Sequence, residues 1–321
     1  MAIWVGIDVS QDTLDFGFIE DGRKFHKQVP NTRKGFAEIL SEAPAAAHFV
    51  MEATGTYYLN LALHLHEKGR YVSVVNPFRI KNHMKSDMRR TKSDKADAYA
   101  IAQFGKEKEP PAWTPVKRET FQIQQLQGLY DRFTNQITQL KNEIHAFKRS
   151  EISSTLAIRE SLTAIKDLRK RRAVVMHEME TLAESVLARE IQLLETIEGI
   201  GRKTAIRVAS AIGDFNRFET SRKLVSFAGL SPMTAQSGTS IHSKGHISRM
   251  GGTRIRGALY MCAIVARQYN PQCKAMWDRL KAEKKHGKII IVAIMCKLLR
   301  QMYALVTKNV AYDPNFFAKA A

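Results

Sequence analysis

The sequence predicts a mixed α/β domain at the N-terminus, a helical middle region and a mainly α-helical domain at the C-terminus. The first hundred residues alternate short apolar runs with turn signals and amphipathic segments, which is typical of a sheet covered by helices. No proline occurs between Val116 and Ser231, and apolar residues recur there at helical spacing. Glycine-rich and serine-rich interruptions divide the last third of the chain. Its 321 residues suffice for two or three domains.

The first predicted domain spans residues 1–112 and contains five strands. Strand patterns occupy Ile3–Val9, Leu14–Ile19, Lys24–Val29, His48–Met51 and Tyr71–Val75. Helical patterns occupy residues 34–40 and 57–67, and Ser93 can cap a third helix that runs to about residue 104. Three strands precede the first crossover, so we expect a mixed sheet with helices on its faces. Prolines at 110, 111 and 115 mark the end of the domain.

The second predicted domain spans residues 113–190 and is helical. Seven apolar residues alternate four and three apart, which is a heptad seam: Leu126, Tyr130, Phe133, Ile137, Leu140, Ile144 and Phe147. A second helical stretch runs from about Leu156 to Leu187. One interpretation is that the two helices pair as an antiparallel coiled-coil hairpin or bind a partner as a coil. The other is that they are ordinary amphipathic helices packed on a core. The sequence leaves both interpretations open.

The third predicted domain spans residues 191–321 and begins with a pattern typical of a helix–hairpin–helix motif. Within Leu194–Ile212, Gly199 and Gly201 allow a tight turn between two helices. Free N–H groups at the start of the second helix can accept a phosphate, and Arg202 and Lys203 add positive charge. An ordinary corner between two helices would show a similar pattern.

The charge of the chain favours a polyanionic partner. Lys and Arg number 50 against 31 Asp and Glu, which gives a net charge of +19. Residues 201–321 hold 21 basic and five acidic residues, so most of the excess lies in the last domain. Nucleic acid is the first expectation and an anionic membrane surface the second.

The remaining compositional signals favour a cytoplasmic protein. The three cysteines, at 262, 273 and 296, fit no zinc spacing and cannot all pair, which indicates a reducing compartment. The N-terminus shows no signal peptide pattern. The apolar run Ile289–Val306 is interrupted by charged and polar residues, so we expect a buried helix and no membrane span.

Four acidic residues in the first domain form a candidate metal site. Asp8 lies inside the apolar run of the first strand, and Glu52 ends a later strand. Asp94 and Asp97 are three apart on one predicted helix and share its face. Carboxylate oxygens of this kind suit Mg²⁺ or Mn²⁺. Taken one at a time, each could equally cap a turn or lie on a solvated helix face.

A basic stretch precedes the third carboxylate. It runs from Arg79 to Lys92, and Arg89, Arg90 and Lys92 could follow DNA phosphates into the site. A solubilising surface loop is the alternative interpretation. Together with the four carboxylates, the stretch favours a metal-dependent nucleic-acid enzyme.

The long irregular segment Gly229–Gly252 contains five glycines and five serines, and such a loop is more often functional or mobile than structural. Ser237 lies within it, with Ser231, Ser240, Ser243 and Ser248 nearby. Chemistry alone singles out none of them, because an activated serine needs a neighbouring base or metal. Lys244 and Arg254 are candidate DNA contacts.

These motifs together resemble the DEDD transposases of bacterial insertion sequences, the insertion-sequence-110 type, whose relatives include the Piv site-specific invertase. The residues that carry the resemblance are GIDVS, MEATGTY, VVNPFRIK, RTKSDKADA, IEGIGRKTA, FAGLSP and SGTSIHSKGHISRMGGTRIRGALYM, in this order. They cover nearly the whole chain. One departure is Ser93, where the family commonly has threonine, and it preserves a capping hydroxyl.

The resemblance implies an RNase H-like (RuvC-like) N-terminal domain, a coiled coil and a helical transposase domain. It also implies that Asp8, Glu52, Asp94 and Asp97 bind Mg²⁺ and that Ser237 forms a covalent phosphoserine with DNA. The partners that it implies are double-stranded donor and target DNA and a structured guide RNA. It also implies a dimer that becomes a tetramer in the synaptic complex.

The sequence is compatible with three hypotheses for the function. The first is a serine-using recombinase, which acts either as a transposase or as a Piv-like invertase. The second is a hydrolytic nuclease such as a RuvC-like junction resolvase, which needs the carboxylates and no serine. The third is a non-catalytic nucleic-acid-binding protein, which has no need of all four carboxylates.

Overall fold

The computed structural model describes residues 2–86, 94–233, 236–237, 241–242, 246–248 and 251–315. The chain divides into two compact units, Met1–Pro115 and Val116–Ala321. The boundary follows the proline-rich segment, three residues after the position expected from the sequence. The helical hairpin belongs to the second unit, and the finer division at residue 190 stays a prediction.

The first unit contains a five-stranded mixed sheet. Its strands are β1 (Trp4–Val9), β2 (Thr13–Glu20), β3 (Arg23–Pro30), β4 (His48–Glu52) and β5 (Tyr71–Val75). The strand order is β3-β2-β1-β4-β5; β1, β2 and β3 are antiparallel, whereas β4 and β5 run parallel to β1. This order and these directions are those of an RNase H-like fold, so the predicted fold class of the N-terminal domain is confirmed.

Helices cover both faces of this sheet. They are α1 (Arg33–Glu42), α2 (Leu59–Glu67), α3 (Pro77–Ser86) and α4 (Asp94–Lys108). Alternating residues of β1 explain the two layers, because successive side chains of a strand point to opposite faces. Val5 and Ile7 pack with residues of α1 and α2 in one buried cluster. Trp4 packs with Ile101 and Phe104 of α4 in another.

The second unit begins with a helical hairpin. Its helices are α5 (Arg118–Phe147) and α6 (Thr155–Val186), and Ser154 caps α6 by accepting a hydrogen bond from Ala157 N at 3.3 Å. Far from the rest of the unit, Ile137, Ile144 and Ile165 form a small buried cluster between the two helices. At the opposite end, both helices join the main core. The predicted pairing of two long helices is therefore present.

The rest of the second unit is mainly helical. It comprises α7 (Ala188–Glu195), α8 (Arg202–Ile212), a 3₁₀ turn (Phe215–Arg217), α9 (Ser221–Phe227), α10 (Thr253–Tyr269), α11 (Pro271–Ala282) and α12 (Gly287–Lys308). Four two-residue strands lie between α9 and α10: β6 (Pro232–Met233), β7 (Gln236–Ser237), β8 (Ile241–His242) and β9 (His246–Ile247). The predicted mainly α-helical C-terminal region is confirmed.

Helix α12 is the central core helix of this unit. Within the described residues it alone is long and apolar enough, by length and composition, to cross a membrane. Eight of its residues are buried, including Ile294, Leu298 and Met302, and they pack with α7, α9, α10 and α11. This agrees with the buried helix predicted for residues 289–306.

Candidate functional site

Asp8 and Glu52 occupy matching positions on neighbouring parallel strands. In the ladder between β1 and β4, Ile7 lies opposite Met51, and Asp8 and Glu52 are the next residues of each strand. Both are half-buried, and Glu52 Oε1 accepts a hydrogen bond from Thr54 Oγ1 at 2.6 Å. The sheet therefore brings these two predicted ligands side by side near the carboxyl ends of two parallel strands.

Gly6 allows α4 to approach the face of the sheet that carries these carboxylates. A Cβ added at Gly6 would lie 2.1 Å from Ala98 O and 2.3 Å from Ala102 N. Residues two apart in a strand share a face, so Asp8 lies on the side that α4 covers. Val50 packs in one cluster with α4 residues, which places Glu52 on the same side.

Helix α4 carries the other two predicted ligands. Asp97 is half-buried and directly precedes Ala98, whose carbonyl oxygen approaches Gly6. Asp94 is the first residue of α4, and its side chain lies outside the described part of the chain. Within the described residues, no three His, Cys, Asp or Glu side chains converge closely enough to hold a metal ion. Asp8, Glu52 and Asp97 thus share a region without forming a closed ligand set.

A fifth carboxylate, Asp15, lies opposite Asp8 on the neighbouring strand β2. The two residues are partners in the ladder between β1 and β2. Asp15 is only 6% exposed and accepts hydrogen bonds from His26 Nε2 at 3.0 Å and Gln28 Nε2 at 2.9 Å. It is not among the residues predicted from the sequence. Its signal, an acidic residue inside an apolar strand, is the one that identified Asp8.

Part of the predicted basic stretch lies on α3, which packs against α4. The Arg79 guanidinium lies 5.6 Å from the centroid of the Phe104 ring, and His83 Nε2 lies 2.9 Å from Glu107 Oε2. The hydrogen bond with His83, followed by one from Gln103, lowers the pKa of Glu107. Arg89, Arg90 and Lys92, the predicted phosphate contacts, fall outside the described residues.

The predicted helix–hairpin–helix turn joins α7 to α8. Gly199 has a φ of +97°, and a Cβ there would lie 3.1 Å from the backbone of Ala266 in α10, so the turn requires glycine. Gly201 is the N-cap of α8. Arg202 forms ion pairs with Glu184 and, at 3.4 Å, with Glu195.

Lys203 differs from its neighbour Arg202 in its environment. Its side chain is exposed at the first turn of α8, near helix N–H groups that favour an anion. Of the two predicted basic contacts at this turn, Lys203 is therefore the more accessible to a phosphate.

The serine loop, residues 229–252, is a narrow hairpin where it is described. Near its base, β6 pairs with β9 and places Pro232 opposite Ile247. Further out, β7 pairs with β8 and places Ser237 opposite Ile241. The side chain of Ser237 and all of Lys244 lie outside the described part of the chain.

Arg254, another predicted DNA contact, follows the serine loop in the first turn of α10. It donates a hydrogen bond to Gln124 O of α5 at 3.0 Å, and its Nη2 lies 3.1 Å from the position of a Cβ at Gly128. Its described contacts therefore tie α10 to the helical hairpin.

Comparisons with known proteins agree along the chain. Residues 5–148 match a DEDD family model described as "Transposase", and residues 191–278 match the model "Transposase IS116/IS110/IS902 family". The chain is 32% identical over 320 residues to the "Pilin gene-inverting protein" of Moraxella bovis and 31% identical to that of Moraxella lacunata; each alignment covers 97% of both chains.

One solved structure bears a slight likeness to the chain. It is "T. thermophilus RuvC in complex with Holliday junction substrate", which is 15% identical, with a TM-score of 0.27, over 35% of this chain and 99% of that one. The fold class rests on the strand order and directions of the sheet.

Proposed function

Because this chain belongs to the IS116/IS110/IS902 family of transposases, we propose that it recombines the DNA of an insertion sequence through a Mg²⁺-dependent carboxylate site and a nucleophilic Ser237. Family membership makes the chain a DNA-binding and DNA-cleaving recombinase that uses a divalent metal. One observation carries the metal half of the proposal. Asp8 and Glu52 lie in register on adjacent strands, beneath the helix that carries Asp94 and Asp97.

The donor set fits a hard divalent cation in its chemistry. Asp8, Glu52, Asp94 and Asp97 would supply only carboxylate oxygens, which Mg²⁺ and Mn²⁺ prefer. When bound, the metal would stabilise negative charge on phosphoryl oxygens and on the leaving oxygen. The protein's contribution is to hold the carboxylates on one face by strand pairing and by the close contact of α4 with Gly6.

Ser237 would act as the nucleophile in two balanced steps. Its Oγ attacks a backbone phosphorus, a P–Oγ bond forms, and the bond to the leaving strand oxygen breaks; the proton of the serine hydroxyl passes to solvent or a base, and the departing strand end takes one up. A strand hydroxyl then attacks the phosphoserine, joins the new strands and returns the serine. The number of phosphodiester bonds is conserved, so no external energy source is needed.

The support for Ser237 is its motif match and its location. Within the hairpin formed by β7 and β8, it lies near the outer end of a loop whose base is fixed by backbone pairing. Ser248 is a poor alternative, because it is only 8% exposed and lies at the base of the loop. An extended hairpin suits a nucleophile that must reach DNA held elsewhere on the protein.

DNA contacts would be made by basic residues from both units. We propose that Lys203, with the turn at Gly199 and Gly201, binds a backbone phosphate, because its side chain is exposed at a helix N-terminus. Arg202 and Arg254 would contribute more through their contacts within the protein. Arg89, Arg90, Lys92 and Lys244 remain predicted phosphate contacts from the sequence alone.

The proposal extends to partners and assembly. A structured guide RNA is consistent with the net charge of +19, most of which lies beyond residue 200. The carboxylates and Ser237 lie in different units, so a complete active site needs their association, within one chain or between protomers of a dimer or tetramer. We place this assembly in the bacterial cytoplasm, on the nucleoid.

Inversion of a DNA segment is the second candidate function. It is favoured by the two relatives named as pilin gene-inverting proteins, which align with 97% of this chain. A plasmid that carries the native flanking ends in direct or inverted orientation separates the two. Excision or insertion products indicate transposition, whereas reversal of the segment alone indicates inversion.

The test of the serine mechanism compares Ser237→Ala with Ser240→Ala on DNA that contains the native element ends. We expect strand cleavage to be lost in Ser237→Ala and kept in Ser240→Ala, while both variants bind DNA. Cleavage by Ser237→Ala at the wild-type rate would instead favour the hydrolytic nuclease. Full activity of Asp97→Asn would contradict the carboxylate site.

A further inference from the structure

We infer that Arg256 is a positioning residue that holds the base of the serine loop and thereby orients Ser237; this inference rests on the proposed function. Arg256 is half-buried in the first turn of α10, just after the loop ends. It is not among the residues proposed above to hold metal, attack DNA or contact phosphates.

The guanidinium of Arg256 joins the two ends of the loop. Its Nη1 donates to Ala228 O at 3.0 Å, at the end of α9, and to Gly251 O at 2.8 Å, just before α10. Its Nη2 donates to Thr253 Oγ1 at 3.1 Å. One side chain therefore bridges the chain segment that enters the loop and the segment that leaves it.

Backbone hydrogen bonds close the same junction. Gly252 N donates to Phe227 O at 3.1 Å, and Ser248 N donates to Ser231 O at 2.9 Å. The pairing of β6 with β9 continues the ladder towards Ser237. Arg256 thus lies at the foot of the cross-strand contacts described for this loop, and we expect a shift there to move the strands that carry Ser237.

Two glycines make room for this arrangement. Gly229 has a φ of +68°, and a Cβ there would lie 2.4 Å from Arg256 Nη1 and 2.7 Å from Ser248 O. A Cβ at Gly251 would lie 2.2 Å from Phe227 O. Gly229 therefore leaves room for the guanidinium, and Gly251 lets the two ends of the loop approach each other closely.

Arginine suits this position better than lysine does. The planar guanidinium directs several N–H groups along fixed directions and can reach two carbonyl oxygens and a hydroxyl at once. A lysine ammonium is a single point on a flexible stem and would satisfy fewer of these acceptors. No carboxylate among the described residues forms an ion pair with Arg256, so its partners are the loop's own backbone and Thr253.

The experiment measures the rate of covalent adduct formation at saturating DNA, together with DNA affinity and thermal stability, in the full-length protein. We expect Arg256→Ala to remain folded and to bind DNA as the wild type does, while adduct formation slows by about 100-fold, the effect of a misplacement of about 1 Å. Arg256→Lys should recover part of the rate, and added methylguanidine should recover part of it in Arg256→Ala. Arg267→Ala is the matched control on the same helix and should react at the wild-type rate.

The results separate positioning from general damage. Adduct formation by Arg256→Ala at the wild-type rate when DNA is saturating would overturn the inference, even if the variant bound DNA more weakly. If Arg256→Ala does not fold, Arg256→Lys decides between the same two outcomes. Hydrogen exchange gives a readout independent of chemistry, because the amides of Ser248 and Gly252 should exchange faster in the variant. If these amides exchange faster in the variant but the wild-type protein forms no adduct, the proposed serine mechanism is wrong. Arg256 would still be shown to hold the base of the loop.

Discussion

Replacing Gly6 by alanine should separate the two halves of the carboxylate site without touching a carboxylate. Gly6 lies two residues before Asp8 on β1, and the atoms nearest a Cβ added there belong to the backbone of α4. Because the helix backbone cannot rotate away as a side chain would, the added methyl group must push α4 from the sheet. Asp94 and Asp97 would move with the helix.

The size of the displacement follows from the contacts. The new Cβ would lie 2.1 Å from Ala98 O, whereas ordinary contact begins at 3.4 Å, so a shift of about 1.3 Å is required at this point. Overpacking of this kind costs about 1–3 kcal/mol of stability. A misplacement of about 1 Å among catalytic groups can cost roughly 100-fold in rate. We therefore expect a folded variant that has lost most of its activity.

The assay compares Gly6→Ala with Gly257→Ala, in which the same substitution meets open space. A Cβ at Gly257, inside α10, has no atom within 4 Å, and alanine is favoured over glycine in a helix by about 1 kcal/mol. We expect Gly257→Ala to keep full cleavage activity and unchanged or slightly higher stability. Gly6→Ala should have a lower melting temperature, need more Mg²⁺ for half-maximal activity and cleave DNA about 100-fold more slowly. Wild-type cleavage and Mg²⁺ dependence in Gly6→Ala would refute the placement of the site between β1 and α4.

Three further predictions follow from the described contacts. Asp15→Ala should lower the free energy of unfolding by roughly 1–3 kcal/mol, measured by urea denaturation, because it removes two hydrogen bonds to a buried carboxylate, one from the half-buried His26 and one from Gln28. Burial raises the pKa of Cys273 to about 12 from an ordinary value of 9.0, so the stability due to the buried neutral thiol is complete below pH 9 and falls as the pH approaches 12. Alkylation of Cys273 at pH 8.5 should therefore be slow until urea unfolds the protein, and rapid labelling of the native protein would contradict its burial. Lys203→Ala should weaken DNA binding and reduce the salt dependence by about one phosphate contact, whereas Arg202→Ala should mainly lower the melting temperature; equal effects on DNA binding would count against the distinction.

The sequence was sufficient to predict the five strands of the first unit because each is a short apolar run bounded by turn residues. It did not predict α3, Pro77–Ser86, which carries several basic residues and, among its described side chains, buries only Ile80 fully. Such a helix lacks the apolar stripe that a periodicity argument needs. It is held instead by packing of individual side chains such as Arg79 and His83 on Phe104 of α4.

The residues of the candidate site could be predicted from the sequence, whereas their arrangement in space could be predicted only in part. Asp8 and Glu52 could be chosen from their positions in apolar strands, but their register depends on how β1 and β4 pair, which is a long-range property. The role of Gly6 depends on the approach of a helix almost a hundred residues later in the chain. Asp15 was missed although its strand was predicted, because its importance appears only once it lies opposite Asp8.

The central claim is that this recombinase cleaves DNA by forming a covalent bond between DNA and Ser237. The most direct measurement is to incubate the wild-type protein with Mg²⁺ and DNA that carries the native element ends, denature and digest the mixture, and map the modified peptide by mass spectrometry. We predict a phosphodeoxynucleotide on Ser237, absent when Mg²⁺ is withheld. Cleaved DNA without any protein adduct, or an adduct on another residue, would contradict the claim.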